Sequence, residues 1–470
     1  MRASLIAPLV AAGLLAGCTV GPNYHRPAIS SPAAFRAAPP APDRAPASLA
    51  DLKWFEVFKD ERLQELERTA LAQNYDLRDA AARVEAARAN LGITRSNQFP
   101  NVDASADIST IRFSRNGSTP LPASFVPSQN RTFGGATLGL LSFELDFWGR
   151  LRRTTEAARA NLLGAEENRK AVMTTLVSEV AAAYFSLREL DDELEISQRT
   201  LTTRQESLEL IRNRQSGGVA TLLELRQGEQ LVYTATETIP SLQLQIEQTE
   251  NQISLLLGRN PSEVLRGRGL TEQEMPPDVP PGLPSALLER RPDIRAAEQN
   301  LIAANAEIGV AKAAYFPQIT LSGFLGGQGT QLSSLFSGPS AVWNFTPQVT
   351  QPIFTAGRLK SNVRFTQAQR DSALIQYEKA IQTAFTEVSN ALIAHQRVRE
   401  SRVQQELLVA ALQDRTRLAY VRYRGGVDTL LNALDSDRDL FQAELTLSQI
   451  RLNELDSVVQ LYKALGGGWQ

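Results

Sequence analysis

The fold is decided by a ten-residue stretch that occurs twice in the chain. Arg214-Gln-Ser-Gly-Gly-Val-Ala-Thr-Leu-Leu223 returns 208 residues later as Arg422-Tyr-Arg-Gly-Gly-Val-Asp-Thr-Leu-Leu431. Further pairs keep this spacing or, upstream, a spacing of 217: Gly149-Arg-Leu151 with Gly357-Arg-Leu359, and Phe99-Pro100 with Phe316-Pro317. Self-similarity at a fixed spacing is the signature of a repeated structural unit. The chain is therefore an internal duplication.

Each copy of the glycine motif follows a long segment without an internal proline. The two segments run from Gly149 to Gly217 and from Gly357 to Gly425, and Gly164 is their one internal glycine. Such segments predict continuous helices, each about 100 Å long at 1.5 Å per residue. A Gly-Gly pair is typical of a tight turn between helices. We therefore predict return helices over 221–257 and 429–465.

Alternating apolar and polar residues precede each long helix and predict β-strands. Four segments show this pattern, at 102–108, 141–147, 319–321 and 343–349. Successive side chains of a strand lie on opposite faces, so the pattern indicates a sheet with one apolar and one polar face. We expect two hairpins with loops over 116–130 and 326–339. A helix is expected before each hairpin, over 60–98 and 284–315, ending at a Phe-Pro pair.

The N-terminus has the features of an export signal. An apolar run over 5–16 follows Arg2 and leads into Cys18, and it is too short to span a membrane. Cys18 is the only cysteine, so the chain cannot form an internal disulfide. The segment resembles the bacterial lipoprotein signal, which implies a lipid on Cys18 and, with Thr19 next to it, sorting to the outer membrane. A buried structural cysteine is the alternative.

These boundaries predict an α+β chain of five parts. They are a signal peptide (1–17), a lipidated extended arm (18–58), a first repeat (59–260), a Pro-rich linker (261–284) and a second repeat (285–470). Each repeat is expected to hold a helix, two strands, a long helix and a return helix. The fold class is thus a set of long coiled helix pairs with four strands per chain.

Four strands cannot close a barrel in a membrane, because an open sheet leaves unpaired backbone groups in lipid. Three chains would supply twelve strands and enclose space for solute, so a homotrimer is the smallest useful pore. Glu144, Asp146, Asn344 and Gln348 would then line the lumen, while the apolar faces contact lipid. A soluble β-sandwich on a helical stalk explains the alternation equally well.

Composition and residue inventory argue against nucleic-acid binding and against catalysis. The net charge is −2, with 49 basic and 51 acidic residues interspersed, so the chain lacks a basic field. Its two histidines, His25 and His395, do not form a cluster with metal-ligand spacing. Carboxylate pairs such as Glu166-Glu167 and Asp191-Asp192 are expected on solvated helix faces. We predict neither an enzyme nor a metal site.

Three longer motifs carry a resemblance to a known family: Cys18-Thr-Val-Gly-Pro-Asn-Tyr-His-Arg-Pro27, Ser142-Phe-Glu-Leu-Asp-Phe-Trp-Gly-Arg150 and Arg291-Pro-Asp-Ile-Arg295. In this order they make the chain similar to the outer membrane factor (TolC-like) family, and within it to NodT-type efflux lipoproteins. The resemblance implies a homotrimer with a twelve-stranded barrel and a periplasmic α-helical barrel. It also implies a passive duct whose partners are a periplasmic membrane-fusion adaptor and an inner-membrane pump, commonly of the resistance-nodulation-division type.

The paired Gly-Gly-Val turns are the candidate adaptor contact. In relatives of this type, the corresponding tip closes the channel at rest and meets the adaptor. The residues are Gly217, Gly218, Val219, Gly425, Gly426 and Val427. A turn without a further role is the alternative.

The start of the second return helix supplies a candidate periplasmic gate. Asp435 matches an aspartate that narrows the aperture in relatives, and three such carboxylates in a trimer would form a ring that can bind cations. Asn432 stands where some relatives carry a second aspartate. Arg422 and Tyr423 are candidates for hydrogen bonds that latch neighbouring helices. For Asp435 the alternative is a solvated helix face that also carries Asp437.

Two other functions stay open. A channel for type I protein secretion would have the same fold and another pump, and a structural lipoprotein would tether the envelope without conducting. The sequence predicts no cofactor apart from the lipid on Cys18, and it does not identify the exported substrate.

Overall fold

The computed structural model describes residues 19–29, 32, 34–36, 53–112, 130–274 and 284–469. The predicted signal peptide and Cys18 lie outside the described residues. So do 113–129 in the first predicted hairpin loop, 37–52 of the arm and 275–283 of the Pro-rich linker.

In chain order, the described residues form thirteen α-helices and β-strands. They are α1 (Trp54–Val57), α2 (Glu61–Gln73), α3 (Tyr75–Ser96), β1 (Val102–Arg112), β2 (Asn130–Glu144), α4 (Arg150–Ser216), α5 (Leu222–Leu256), α6 (Leu287–Arg290), α7 (Pro292–Ala313), β3 (Gln318–Gly329), β4 (Ala341–Thr350), α8 (Arg358–Arg424) and α9 (Leu430–Ala464). Among the helices of the described ranges, none combines the length and apolar character that spanning a bilayer requires.

The duplication is visible in the helix lengths. The long helices α4 and α8 have 67 residues each, and the return helices α5 and α9 have 35 each. The helices before the hairpins, α3 and α7, have 22 each. The predictions for the long and return helices are confirmed to within one residue at each end.

The predicted helix over 60–98 is wrong in one respect, because Asn74 divides it into α2 and α3. The Asn74 Oδ1 accepts a hydrogen bond from the Leu77 backbone N–H at 2.9 Å, which caps α3. Its Nδ2 donates to the Leu256 carbonyl oxygen at 2.9 Å, at the end of α5. The Asn74 side chain thus caps the start of α3 and donates a hydrogen bond to a carbonyl oxygen in the last turn of α5.

Both long helices end in the same turn. The Val219 N–H donates to the Arg214 carbonyl oxygen at 2.8 Å, and the Val427 N–H donates to that of Arg422 at 3.1 Å. These bonds close a Schellman-type turn, which requires a left-handed residue. Gly218 has φ +75° and Gly426 has φ +71°. The second glycine of each pair is therefore the one that the turn requires.

The chain divides into two compact units. The first comprises the described parts of 1–27, 84–164 and 297–377, and it contains the sheet. The second comprises those of 28–83, 165–296 and 378–470. Its core includes the fully buried Tyr184, Phe185 and Leu187 of α4, and Phe58 meets Phe185 edge-on with ring centroids 5.2 Å apart.

The sheet of the first unit is antiparallel, in the order β1-β2-β3-β4. Residues paired across strands share a face, so the register assigns every side chain to one of two faces. The apolar face carries Ile108, Leu138, Leu325, Trp343 and Phe345 among others. The opposite, polar face carries Asp107, Thr137, Gln328, Asn344 and Thr346 among others. This confirms a sheet with one apolar and one polar face.

Two sequence predictions about the strands are corrected. β2 begins at Asn130 and ends at Glu144, so the alternation expected through 145–147 does not belong to a strand. A bulge between Leu140 and Phe143 then sets Phe143 opposite Leu321 on the apolar face. Gly326, Gly327 and Gly329, which were expected in a loop, lie within β3.

Candidate functional site

Three of the four predicted lumen residues share the polar face of the sheet. Glu144 pairs with Thr320, and Thr320 pairs with Gln348 on the next strand. Asn344 lies on the same face four residues earlier in β4. The register thus brings Glu144, Asn344 and Gln348 together, and their place in a lumen stays a prediction.

Glu144 is held in place by three hydrogen bonds. It accepts from the Arg150 Nε at 2.9 Å and from the Arg150 Nη2 at 2.6 Å, a bidentate ion pair. The Gln318 Nε2 donates to the same carboxylate at 2.6 Å. Its negative charge is therefore largely balanced within the chain.

Asp146 caps a helix. The backbone N–H groups of Leu151 and Arg152 donate to its two carboxylate oxygens at 3.1 and 2.9 Å, at the start of α4. A carboxylate at a helix N-terminus satisfies orphan donors and suits the helix dipole. Asp146 lies beyond the end of β2, so the strand alternation that assigned it to the lumen is wrong, and its lumen role is untested.

Two acidic residues of the polar face were missed by the sequence analysis. Asp103 and Asp107 of β1 pair with Gly139 and Gly135 of β2, on the face that carries Gln348. Alternation over 102–108 was the signal that could have identified them. The polar face therefore has two more carboxylates than expected.

The two tips, defined as residues 213–224 and 421–432, expose apolar side chains. Val219 is 69% exposed and Val427 is 67% exposed. Leu222, Leu223 and Leu431 beside them are exposed as well. Exposed apolar patches on a protein surface often mark binding sites. The candidate adaptor residues are thus at the surface of the second unit.

The second tip holds a local hydrogen-bond network around Asp428. The Arg422 Nε donates to the Asp428 Oδ2 at 3.1 Å, and the Asn432 Nδ2 donates to the Oδ1 at 2.7 Å. Hydrogen bonds from Asn432 and Arg422, with one from the Thr429 backbone N–H, lower the pKa of Asp428. The first tip has a capping box instead, formed by Thr221 and Glu224.

Tyr423 does not form the predicted latch within the described chain. Its ring is buried against Leu430 and Leu434, and the Arg214 guanidinium lies 4.8 Å from the ring centroid. Its hydroxyl oxygen lacks a hydrogen-bond partner among the described residues. Arg422 bonds to Asp428 six residues on, and not to another helix.

Asp435 and Asp437 have different environments, although they are two residues apart. Asp435 is partly exposed and lies 3.4 Å from the Arg438 Nη1. Asp437 is buried and bonded to Arg204 of α4 at 2.7 Å. The alternative of a solvated face therefore agrees with Asp435 but does not extend to Asp437.

The carboxylate pairs on α4 are also bonded more than expected. Glu167 is buried and contacts Lys170 at 2.9 Å and Arg295 at 3.1 Å. Asp191 binds Arg266 at 3.2 Å, and Asp192 accepts a hydrogen bond from the Ser448 Oγ at 2.7 Å. The prediction of solvated faces is wrong for these side chains, because Glu167 is buried and side chains from other segments of the chain bind Asp191 and Asp192.

The arm that follows Cys18 is bound to the described chain by one backbone hydrogen bond and several side-chain hydrogen bonds. The Val20 N–H donates to the Trp148 carbonyl oxygen at 3.0 Å, and Arg153 donates to the Asn23 Oδ1 at 2.7 Å. Tyr24 and Arg26 both donate to Glu298, at 3.0 and 2.8 Å. All of these residues belong to the first unit, so the arm has a specific binding surface there.

Comparisons with known proteins agree with this architecture. The model of the outer membrane efflux protein family matches residues 66–259 and 283–467, one segment for each copy of the duplication. The toluene efflux pump outer membrane protein TtgC of Pseudomonas putida is 39% identical over 475 residues, covering 100% of this chain and 96% of that protein. Outer membrane protein OprJ of Pseudomonas aeruginosa is 35% identical over 469 residues, covering 99% of this chain and 96% of that protein.

A solved structure has the same fold along nearly the whole chain. The open-state MtrE outer membrane channel of Neisseria gonorrhoeae superimposes with a TM-score of 0.86 at 32% identity, covering 96% of this chain and 99% of that chain. The internal duplication, the four-stranded sheet, the long helices and the sequence identity all point to the same family. The chain therefore belongs to the outer membrane efflux protein family and is an efflux channel protein of the outer membrane.

Proposed function

We propose that three copies of this chain form a passive duct that exports small molecules through the outer membrane. The observation that carries the proposal is the sheet, which has one apolar face, one polar face and two open edges, β1 and β4. Edge strands leave backbone donors and acceptors unpaired, and a membrane does not supply partners for them. Pairing β4 of one copy with β1 of the next would satisfy both edges.

Three copies would give twelve strands and an enclosed polar lumen. The lumen would be lined by the polar face, with Glu144, Asn344 and Gln348 and the two aspartates Asp103 and Asp107. Two copies would give a barrel of eight strands, and side chains would fill the interior of such a barrel. The trimer is therefore the smallest assembly with a channel, and it would carry out no catalysis.

The tips would contact a periplasmic membrane-fusion adaptor. Support comes from the exposed Val219 and Val427 on the Gly217-Gly218 and Gly425-Gly426 turns, since apolar anchors at the centre of a patch dominate most interfaces. Relatives carry names such as toluene efflux pump outer membrane protein, which describes one component of a larger pump. We infer an inner-membrane pump of the resistance-nodulation-division type as the energy source.

Small organic molecules are the substrate class that the relatives favour. Their names include a toluene efflux pump, an antibiotic efflux pump and a solvent efflux pump. These names favour small-molecule export over the secretion of a polypeptide. The polar face offers hydrogen-bonding groups and charges, so the lumen would conduct solutes in water without binding one tightly.

We infer that Cys18 carries a covalent lipid. Thr19, the next residue, begins the arm that is hydrogen-bonded through Val20, Asn23, Tyr24 and Arg26. We infer that the arm fixes the chain end and the lipid holds it at the membrane. The gate would lie in the second unit, at Asp435 with Asn432, Arg422 and Tyr423.

Deletion of the gene, paired with conductance of the purified protein, tests this function. Raised sensitivity to toluene and antibiotics, together with conductance of the purified trimer in planar bilayers, is the expected result. Loss of one secreted polypeptide with unchanged sensitivity would favour type I secretion. Absence of conductance would favour a structural lipoprotein, and a mass other than three chains would contradict the trimer.

A further inference from the structure

The connection between β3 and β4 folds back over the apolar face of the sheet. This segment, residues 330–340, is the β3–β4 loop. A side chain at Gly327 would overlap the Leu335 carbonyl oxygen, so the loop backbone lies directly on that strand. Gly327 is a member of the apolar face by register, since it pairs with Ala136 and Ala341. The loop therefore lies on part of the face that the proposed barrel turns toward lipid.

The loop has an ordered internal structure. Two short 3-10 helices, Leu332–Ser334 and Gly338–Ser340, flank Leu335, whose side chain is buried. The Ser337 Oγ donates to the Ser334 carbonyl oxygen at 2.7 Å, and the Ser337 N–H donates to the same oxygen at 3.0 Å. Serine bonds of this kind replace sheet hydrogen bonds in turns. The β3–β4 loop thus has a defined structure where it lies on the apolar face.

Two apolar grooves flank the loop, one on each side of Leu335. Their volumes are about 680 and 650 Å³, within the range of sites that hold small ligands. Ala106, Ala136, Leu335 and Phe336 contribute to both grooves. At the rim, Leu332 is 82% exposed and Phe336 is 83% exposed. Linings of this kind favour flexible apolar chains.

Among the described residues of β1, a basic side chain lies on the same face at its outer end. Arg112 is the last residue of β1 and pairs with Asn130, so it lies on the face of Ala106 and Ile108. This is the sheet end where the hairpins turn, opposite the end that joins the helices α3, α4, α7 and α8. Arg131 lies at the same end on the polar face, because it pairs with Ile111. Arg112 is the next residue of β1 on this face beyond Thr110, which pairs with Thr132 in the lining of one groove.

We propose that this face binds a phosphorylated lipid of the outer leaflet, with acyl chains in the two grooves and a phosphate on Arg112. The orientation rests on the proposed function, in which the helices extend into the periplasm and the hairpins reach the cell exterior. An apolar groove with an arginine beyond its end on the same face matches a ligand with apolar chains and an anionic head, since arginine binds phosphate through paired N–H donors. If the ligand were a neighbouring protein, its apolar side chains would cover the exposed Leu332 and Phe336. Arg112 would then have no role.

The test measures lipid binding to the full-length purified protein by native mass spectrometry. The probe is hexa-acylated lipid A carrying two phosphates, and phosphatidylglycerol is the comparison lipid. Arg112→Gln removes the proposed phosphate contact, and Ala106→Phe fills both grooves. The matched control is Arg131→Gln, which removes the same charge at the same sheet end from the opposite face. All variants are first checked for trimer mass and planar-bilayer conductance.

We expect Arg112→Gln and Ala106→Phe each to weaken lipid A binding about tenfold, the loss expected for one charged hydrogen bond or one blocked site. Arg131→Gln should bind as the unaltered protein does, and phosphatidylglycerol should bind more weakly than lipid A. Equal effects of the two arginine variants would overturn the proposal. So would equal binding of the two lipids, or undiminished binding by Ala106→Phe. Normal conductance with any of these results would leave the channel function standing.

Discussion

Arg204 of α4 and Asp437 of α9 form a buried ion pair, with the Arg204 Nε 2.7 Å from the Asp437 Oδ2. The Arg204 Nη1 also donates to the Leu231 carbonyl oxygen of α5 at 3.1 Å, and its guanidinium lies 4.9 Å from the Phe441 ring centroid. Burial raises the pKa of Asp437, and Arg204 opposes that rise. One side chain thus joins three helices of the second unit.

Asp437→Ala should destabilise the protein by about 3–5 kcal/mol, because it leaves the Arg204 charge buried without its counterion. Thermal or denaturant unfolding of the purified protein measures the change. The matched control is Asp439→Ala, which breaks the exposed pair with Arg415 and should cost less than about 1 kcal/mol. Similar losses for the two variants would contradict the buried pair as a structural contact.

Glu189 should make the second unit less stable as the pH rises. Burial, and then the neighbouring Glu193, raise the pKa of this carboxyl to about 8. The folded state therefore keeps a proton that the unfolded chain releases near pH 4.5. Stability should be highest below that pH and fall between pH 4.5 and about 8, because the unfolded state binds fewer protons there.

Glu189→Gln should remove this part of the pH dependence and raise the unfolding temperature above that of the unaltered protein at pH 8. Glu195→Gln, at an exposed position of the same helix, is the control and should leave the profile unchanged. Identical pH profiles for the Glu189→Gln variant and the unaltered protein would rule out a buried proton at this site.

Asp60→Asn should destabilise the second unit by about 2–3 kcal/mol, the loss typical of hydrogen bonds to a charged group. The Asp60 carboxylate accepts from Tyr184 Oη at 2.9 Å, the Arg268 N–H at 3.0 Å and the Gln273 Nε2 at 2.9 Å. These three bonds end on Oδ2, while Oδ1 accepts from the Arg62 and Leu63 backbone N–H groups at 2.9 and 3.3 Å. Burial raises its pKa, but the hydrogen bonds from Gln273, from Tyr184 and from the Arg62 and Leu63 backbone N–H groups together lower it overall. An amide has one acceptor oxygen and cannot accept at both positions.

The same shift gives Asp60 a pH signature of the opposite sign to that of Glu189. Its stabilisation is present above the ordinary pKa of an aspartate and is lost as the pH falls through the lowered folded-state value. Tyr184→Phe, which removes one donor, should cost about 1 kcal/mol. If Asp60→Asn matched the unaltered protein in acid and at neutral pH alike, the carboxylate would have no such role.

Asp435→Ala should raise single-channel conductance and weaken block by divalent cations. In the proposed trimer, three copies of this carboxylate would form a charged ring at the aperture. Planar-bilayer recording measures both effects, and Asp414→Ala, an exposed site on α8, is the control. Unchanged conductance together with unchanged cation block would remove Asp435 from the gate.

Val427→Asp should abolish drug export while leaving conductance of the purified protein intact. A carboxylate at this position would have to lose its hydration when the apolar adaptor contact forms. Drug sensitivity of cells and cross-linking to the adaptor measure the effect, and Val219→Asp tests the other tip. Normal resistance with both substitutions present would exclude these tips as the adaptor contact.

The helices could be predicted closely because glycine and proline mark their ends in the local sequence. Gly149, Gly217, Gly357 and Gly425 border helices that span 150–216 and 358–424 in the structure. The start of β2 at Asn130 could not be predicted in this way, because glycine and threonine residues interrupt the alternation of apolar and polar side chains in this strand. Its bulge, at 140–143, depends on the pairing with β3.

The buried polar side chains were the other part beyond prediction. Asp437 lies in a charged stretch of sequence, and Arg204, which neutralises it, is 233 residues away. Burial of this kind is a property of packed helices, and local charge does not reveal it. The same holds for Glu167 and its partner Arg295.

The two tips also differ in a way that bears on symmetry. Thr221 closes a capping box at the first tip, whereas Thr429 lacks a side-chain cap and Asp428 binds Arg422 and Asn432 instead. In the proposed trimer, two tips per chain would make a ring of six, alternating between these two chemistries. In a ring of six identical chains without the duplication, one mutation would change all six tips at once. Gene duplication lowers the symmetry of such a ring from sixfold to threefold, so that alternate tips can evolve separately, one with a capping box and the other with an ion pair.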